Sequence, residues 1–327
     1  MKKGKLLTLL PLMAMVLTGC QFNKKSSFSF DENKVFNIGV CQIVAHPALD
    51  KATEGFKKAV EEGLGKDNVV FDVQEAAGEP ATCATICNSF VSKKVDLIMA
   101  NATPALQAAA NSTLDIPILG TSVTEYGVAL SIENFNGTVG GNISGTSDLA
   151  PLDKQADMVK EFVPNAKKVG LLFCSAEANS LFQVDSVETC LNAQNIETKR
   201  ISFSESNELQ SVLAGSIAGL DALYVPTDNV CAQNTSIIDA ICRPAKLPVI
   251  CGEESLCAGC GIATLSIDYF NLGVKTGEMA LEILKEGKDI STMPIGYDTN
   301  PTKKFNKAIC QELNITVPDG YVEIVVD

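Results

Sequence analysis

Two rhythms alternate along this chain. Apolar runs of strand length stand at 36–44, 69–75, 95–100, 116–120 and 128–132. Between them, at 48–64, 79–91 and 104–112, apolar residues recur every third or fourth position. In the first of these, Leu49, Thr53, Phe56, Val60 and Leu64 fall on one helical face. Strand–helix–strand alternation predicts a parallel sheet covered by helices on both faces. The stretch "NFNGTVGGNISGTSDLAPLD" at 134–153 breaks the rhythm with Gly, Asn, Ser and Thr, and reads as a connection. The alternation then resumes, with strands at 169–174, 197–203, 222–225, 248–251 and 262–266 and helices at 178–194, 207–218, 235–243 and 269–285. The predicted class is α/β, two doubly wound parallel-sheet lobes that face each other across a cleft and are joined by crossover hinges. The first lobe takes 35–147 with 268–290, the second 148–267 with 291–327, and the hinges lie near 145–148, 266–268 and 290–294. No short-period repeat is visible, so a solenoid is not expected.

The first residues follow neither rhythm. Lys2, Lys3 and Lys5 precede a twelve-residue apolar run, 6–17, which suits a leader core and is too short for a stable membrane span. Leu17-Thr18-Gly19-Cys20 then resembles the bacterial lipoprotein box. The resemblance implies a signal peptide at 1–19, lipid on Cys20 and attachment to the extracytoplasmic face of the cell membrane. Each buried acyl methylene would contribute roughly 0.8 kcal/mol to that attachment. The polar stretch 20–34 reads as a flexible tether.

Charge and cysteine usage narrow the function classes. The formal net charge of −13 becomes −16 once the three leader lysines are removed, and no basic cluster is present. Nucleic acid and docking on anionic lipid are disfavoured as partners. Of twelve cysteines, Cys20 is assigned to lipid; the other eleven cannot all pair within one chain. Cys41, Cys174 and Cys251 sit inside apolar runs, where cysteine behaves as a small hydrophobe. Cys83 and Cys87 lie one turn apart on a predicted helix, and Cys257-Ala-Gly-Cys260 lies in a Gly-rich turn, read as thiols or a disulfide. A zinc site wants four ligands and His46 is the only histidine, so neither a metal nor another cofactor is expected. Nor is there a GxSxG or P-loop pattern, or a base beside a nucleophile, so no enzyme is expected.

In open parallel sheets, ligands bind beyond the carboxyl ends of the strands. That rule selects Gln42 with His46, Asn101 with Thr103, Thr121 with Ser122, the stretch Pro226 to Asn229, Glu253 with Glu254, and Asp268 with Tyr269. Around these positions "NIGVCQIVAHPALDKATEGFKKAV", "NATPALQAAA", "ILGTSVT", "GGNISGTSDLAP", "ALYVPTDN", "PVICGEES" and "GIATLSIDYFNLGVKTGEMALEIL" resemble the ABC-transporter substrate-binding lipoproteins associated with tryptophan and tyrosine uptake. The likeness extends over about 35–327. It implies a type I periplasmic-binding-protein fold and a monomeric receptor that hands its ligand to a permease driven by an ATPase subunit. The implied ligand is a hydrophobic, aromatic amino acid: tryptophan, tyrosine or phenylalanine. A branched-chain amino acid, a nucleoside or a sensory role is the alternative. The family's loop at Cys257 and Cys260 usually carries small residues, so this pocket wall departs from the pattern.

An amino acid brings two charges into the cleft, and both need partners once water leaves. Asn101, Thr103, Thr121 and Ser122 can offer donors to the carboxylate; Thr103 before Pro104 also suits a plain helix start. Asp228 first, then Glu254 and Asp268, can meet the ammonium, although Asp228 and Asp268 also stand where helix caps stand. Asp228→Ala is expected to weaken binding greatly without unfolding the protein. Gln42 and His46 can line the side-chain pocket, with Tyr269, Tyr126, Phe135 and Phe182 as aromatic candidates. His46 before Pro47 can equally be a structural start to the first helix.

Overall fold

The computed structural model describes residues 30–298 and 300–325. The leader, Cys20 and the tether as far as residue 29 lie outside them; Phe30 stacks on Phe36, and Lys34 pairs with Asp96 at 2.6 Å.

The chain first lays down β1 (Phe36–Gln42), α1 (Pro47–Leu64), β2 (Val69–Glu75), α2 (Pro80–Lys93), β3 (Leu97–Asn101), α3 (Thr103–Ser112), β4 (Ile118–Val123), α4 (Tyr126–Leu130) and β5 (Ile143–Ser147). It crosses over and builds α5 (Leu152–Phe162), β6 (Lys168–Cys174), α6 (Ala178–Ala193), β7 (Glu197–Phe203), α7 (Leu209–Ala214) and β8 (Ala222–Val225). Next come α8 (Asn229–Gln233), α9 (Thr235–Cys242), β9 (Val249–Cys251), α10 (Glu254–Cys260) and β10 (Ala263–Ser266). The chain returns for α11 (Tyr269–Leu284) and β11 (Gly296–Tyr297), then crosses a third time to β12 (Thr302–Phe305), α12 (Lys307–Glu312) and β13 (Val322–Glu323).

Two sheets result. One has the order β11-β5-β4-β3-β1-β2, with every pair parallel. The other has the order β13-β12-β10-β9-β8-β6-β7, and only β10 with β12 runs antiparallel. The central strands of each sheet are buried on both faces. In the first, Ile98 and Ile118 pack with Phe90 and Leu106 on one side, while Leu97 and Leu119 pack with Phe56 and Met279 on the other. This is the two-lobed α/β architecture that the alternating pattern predicts.

One helix pair fixes the geometry of the cleft edge. Helix α1 lies directly against α11, and the seam is made of glycine. A Cβ on Gly55 would stand 2.1 Å from the Phe270 carbonyl oxygen, and one on Gly273 would stand 2.0 Å from that of Ala52. Only bare backbone permits that approach. The first turn of α1 is tied to the sheet by polar bonds: Asn101 Nδ2 donates to Leu49 O at 2.8 Å and Thr53 Oγ1 at 3.0 Å, and Thr53 donates to Gln42 Oε1 at 2.7 Å.

Four expectations need correction. The run 128–132 is not a strand; Tyr126–Leu130 is a short helix, because the Glu125 carboxylate accepts from Val128 N and Ser131 closes it in the left-handed conformation. The stretch 134–153 is not only a connection, since Ile143–Ser147 is a wholly buried strand. Its polar side chains have buried partners: Ser144 donates to Met293 O at 3.0 Å, and the Thr146 and Thr276 hydroxyls meet at 2.7 Å. The third crossing comes after the predicted 290–294. Ile290 and Met293 pack into the first lobe and Gly296–Tyr297 still pairs with β5, so the chain leaves between Tyr297 and Thr302. Cys257 and Cys260, expected in a turn, lie on α10, and all eleven cysteines of the described residues are free thiols.

Candidate functional site

The carboxyl ends of both sheets face each other, and a small cavity lies between them. About 10 Å³ of it is open to the centre of a water-sized sphere, room for about one water. Larger solutes enter only if the lobes part. A larger concavity, about 840 Å³, runs along α1 and β2 and is walled mainly by solvated charges such as Lys57, Lys58, Glu61 and Glu62. The interlobe cavity is the better candidate, because its polar groups are buried and several lack partners.

The first lobe contributes His46, Leu49, Ser122 and Thr124 to the cavity wall. Ser122 is turned inward by an irregularity in the β4–β5 ladder, where the register shifts between Gly120 and Val123, and its φ is +53°. At the end of the neighbouring β3, Ala102 has φ +88°. Two non-glycine residues in positive φ at adjacent strand ends hold a strained backbone, a feature that concentrates at binding sites. Ser122 Oγ is buried without a partner, as is Thr103 Oγ1 just behind it on α3. His46 and Ala102 stand at the N-caps of α1 and α3, and neither supplies a side-chain cap. Both helices thus begin without a side-chain cap, although Asp50 stands in the first turn of α1.

The second lobe and the crossing contribute acids. Asp148, Asp228 and Glu253 line the cavity with Asn179, Thr227 and Tyr269. Glu177 lies one layer behind, accepting from Asn229 N, Val230 N, Asn179 Nδ2 and, at 2.7 Å, Asn229 Nδ2. Among the described residues, no Lys or Arg lines the cavity. The acids differ in how they are satisfied. Asp228 accepts from Cys174 N at 2.7 Å and Cys231 N at 2.9 Å, joining the end of β6 to the start of α8. Glu253 accepts from Ser255 N and Leu256 N, both at 2.6 Å, and caps α10. Asp148 caps nothing. Its Oδ2 accepts from the Tyr269 hydroxyl at 2.9 Å, and its Oδ1 is buried with no partner. Burial pushes Asp148 up to about 6, against the pull of the Tyr269 and Thr124 hydroxyls. Burial, and then the charge of Asp228, pushes Glu177 up to about 8.

The lobes touch across the cavity. His46 Nε2 meets Asn229 Oδ1 at 3.4 Å, and the Thr124 and Thr227 hydroxyls meet at 3.5 Å. Gln183 Nε2 donates to Thr227 Oγ1 at 2.6 Å and reaches Thr124 Oγ1 at 3.5 Å.

Of the ten ligand residues selected from sequence, the cavity wall includes His46, Ser122, Asp228 and Tyr269. Gln42 and Asn101 instead hold α1 on the sheet through their network with Thr53. Thr121 bonds Thr146 and Thr276 beneath α11, on the face opposite Ser122. Thr103 is the first helical residue rather than a cap. Glu254 points into an outer groove and pairs with Lys304 at 2.5 Å, so its neighbour Glu253 is the inward acid. Asp268 is an exposed cap that accepts from Asn271 N at 3.0 Å. Tyr126 is core, its hydroxyl bonded to Thr146 O at 3.0 Å, while Phe135 and Phe182 are half-buried away from the cavity. The residues missed are Thr124, Ala232, Asp148, Glu177 and Asn179. The last two follow β6, whose carboxyl end the same strand-end rule should have included.

Comparison with known proteins agrees with this geometry. Residues 37–324 match the family model described as ABC transporter substrate binding protein. A tyrosine-binding protein of Clostridioides difficile (strain R20291) is 40% identical over 307 residues, covering 90% of this chain and 88% of that protein. The crystal structure of an ABC domain in complex with L-Trp from Streptococcus pneumoniae, 30% identical, superposes with a TM-score of 0.85 over 89% of this chain and 100% of its own. The ligand-free, open structure of a substrate-binding protein with adhesive properties from Clostridium difficile is 36% identical. It reaches 0.67 over 88% of this chain and 99% of its own. The structure described as open thus superposes less well than the L-Trp complex, although it is the more identical of the two.

Proposed function

Since the chain belongs to the family of ABC transporter substrate-binding proteins, we propose that it is the receptor of an importer for an aromatic amino acid, which it holds between its lobes. The observation that carries this reading is the polarity of the cavity. Buried acids with no lysine or arginine beside them line one wall, and the unpartnered Ser122 hydroxyl and the uncapped start of α1 line the other. Such a site is complementary to a zwitterion. The ammonium enters against Asp148 Oδ1 and Asn179 Oδ1, the two buried acceptors without partners on the acidic side. The carboxylate turns to Ser122 and the start of α1. Tyr269 and Leu49 supply flat and apolar surface for the side chain. The aromatic class is supported by the relatives' own ligands.

Ligand that touches both lobes shifts the population toward the closed form, and closure is the signal a permease and its ATPase subunit read. Lipid on Cys20 would hold the receptor at the extracytoplasmic face beside that permease; Cys20→Ala is then expected to move the protein from the membrane to the soluble fraction. Among the described residues, no helix is long and apolar enough to cross a membrane. Calorimetry with the common amino acids and a nucleoside panel tests the ligand class. Tight binding of tyrosine, tryptophan or phenylalanine is expected; binding of a nucleoside alone, or of no amino acid, overturns it.

A further inference from the structure

The polar atoms on the wall of the interlobe cavity are unevenly committed. Four buried side-chain atoms there have no partner: His46 Nδ1, Ser122 Oγ, Asp148 Oδ1 and Asn179 Oδ1. All four residues are more than nine-tenths buried. The ionised Asp148 only accepts. So does Asn179 Oδ1, whose Nδ2 is spent on Glu177 Oε2 at 3.1 Å and Thr227 O at 3.0 Å. His46 Nε2 faces Asn229 Oδ1 at 3.4 Å, and that amide cannot be turned around, because its Nδ2 donates to Glu177 Oε2 at 2.7 Å. Nε2 therefore carries the proton, and Nδ1 of the neutral ring accepts. Three of the four open atoms are acceptors, and only the Ser122 hydroxyl can donate. The other side-chain donors on the wall are engaged within the protein. The Tyr269 hydroxyl donates to Asp148 Oδ2 at 2.9 Å, and the Thr124 and Thr227 hydroxyls meet each other.

Charge runs the same way. Asp148, Asp228 and Glu253 line the cavity, and among the described residues no Lys or Arg does. Helix α1 begins there without a side-chain cap, but Asp50 in its first turn opposes the field of the helix end. An ammonium brings three N–H donors and a positive charge, and so meets both needs of the wall. A carboxylate brings only acceptors and a further negative charge among buried acids, and it finds one open hydroxyl. Little of the binding energy can come from it. We infer that recognition in this cleft is centred on the amine, so that aromatic monoamines, which keep the ring and the ammonium and lack the carboxylate, are a second class of ligand. Water can stand at Ser122 in the carboxylate's place.

The inference rests on the reading of the cleft as an aromatic amino-acid site, and its test separates the two. Calorimetry of the full-length protein at neutral pH compares tyrosine with tyramine and hydroxyphenylpropionate, and tryptophan with tryptamine and indolepropionate. In a series whose amino acid binds, the amine should bind within about ten-fold of it, because the lost carboxylate gives up no ion pair. The deaminated acid should bind at least about a hundred-fold more weakly than the amino acid, because the buried acids and open acceptors stay unpaired. An amine weakened by more than about ten-fold overturns the inference and leaves the receptor reading intact. A deaminated acid weakened by less than about a hundred-fold does the same. Amines that bind where neither amino acid does overturn the amino-acid reading and leave the inference standing. Failure of every one of these ligands to bind removes both.

Discussion

The two walls of the cavity face opposite electrostatic problems. On the first lobe, α1 and α3 begin at the cleft without side-chain caps, although Asp50 stands in the first turn of α1. On the second lobe, α8 and α10 begin at the same cleft, and each is closed by a buried acid, Asp228 and Glu253. Within one fold the same strand–helix junction is thus finished in two ways, and the difference gives the cavity a direction. The lesson is that a carboxylate at such a junction is not by itself a ligand group. Asp228 and Glu253 are largely occupied by backbone N–H groups, whereas Asp148 between the lobes caps nothing and keeps an unpartnered oxygen.

That contrast is tested most severely at Asp148. Asp148→Asn keeps the shape and removes the charge, leaving a buried ammonium without its counterion. The expected loss is about 3 kcal/mol, more than a hundred-fold in Kd by calorimetry. Asp228→Ala should behave differently. It orphans the N–H groups of Cys174 and Cys231, each costing about 1–3 kcal/mol. Its melting temperature should fall along with affinity, where the sequence alone predicted loss of binding without unfolding. Should Asp148→Asn bind as tightly as wild type while Asp228→Ala does not bind, the roles of the two acids are reversed.

Acidity sharpens the same distinction. Burial raises Asp148 from 3.8 to about 6, which corresponds to about 3 kcal/mol favouring its neutral form. Glu177 is raised to about 8. For acids raised on folding, the stabilising contribution is complete below their unfolded pKa and is lost as pH rises through the folded one. The ligand-free protein should therefore lose stability from about pH 4 to 8. Asp72, Glu161 and Glu188 are lowered by their Lys or Arg partners and act below that window. An ammonium offsets the cost of ionising Asp148, so ligand affinity should rise as pH passes through about 6. Calorimetric scans with and without ligand check this, and a ligand increment that is flat from pH 5 to 7 would place the ammonium away from Asp148.

The seam that positions the open wall offers a smaller effect. A Cβ at Gly273 would stand 2.0 Å from Ala52 O, so Gly273→Ala must push α1 off α11. Overpacking of this kind costs about 1–3 kcal/mol of stability, readable as a lower denaturant midpoint. Because α1 carries His46 at its first turn, a modest loss of ligand affinity should accompany it.

How much of this was legible beforehand depended on burial pattern. Strand β8 and helix α11 follow from plain periodicity, because their buried residues are largely apolar. Strand β5 does not: Ser144 and Thr146 are buried by hydrogen bonds to Met293 and Thr276, distant partners that no local pattern announces. The site was legible as a set of strand ends, and His46, Ser122, Asp228 and Tyr269 do meet there. Which face each side chain takes was not. Thr121 and Ser122 diverge as successive residues of a strand must, but which of the two faces the cleft is set by the packing of β4 against α11 and the irregular β4–β5 pairing, a tertiary matter. Asp148 hid in a Gly- and Ser-rich stretch, recognisable as a crossing but not as an acid held at its centre.

The finest comparison is between neighbours. Glu253 and Glu254 follow the same strand, yet Glu253 is buried at the head of α10 and Glu254 turns outward to Lys304. The outer pair is about a quarter exposed on both sides, a setting in which an ion pair contributes about 0.5 kcal/mol. Glu254→Gln should change stability by no more than that and ligand affinity by less than about two-fold. Glu253→Gln exchanges one carboxylate oxygen for an NH₂ that cannot accept from the helix, weakens the cap, and should lower the melting temperature measurably. If Glu254→Gln instead abolishes binding, the acid that meets the ligand comes from the outer position, and the inward assignment of Glu253 is wrong.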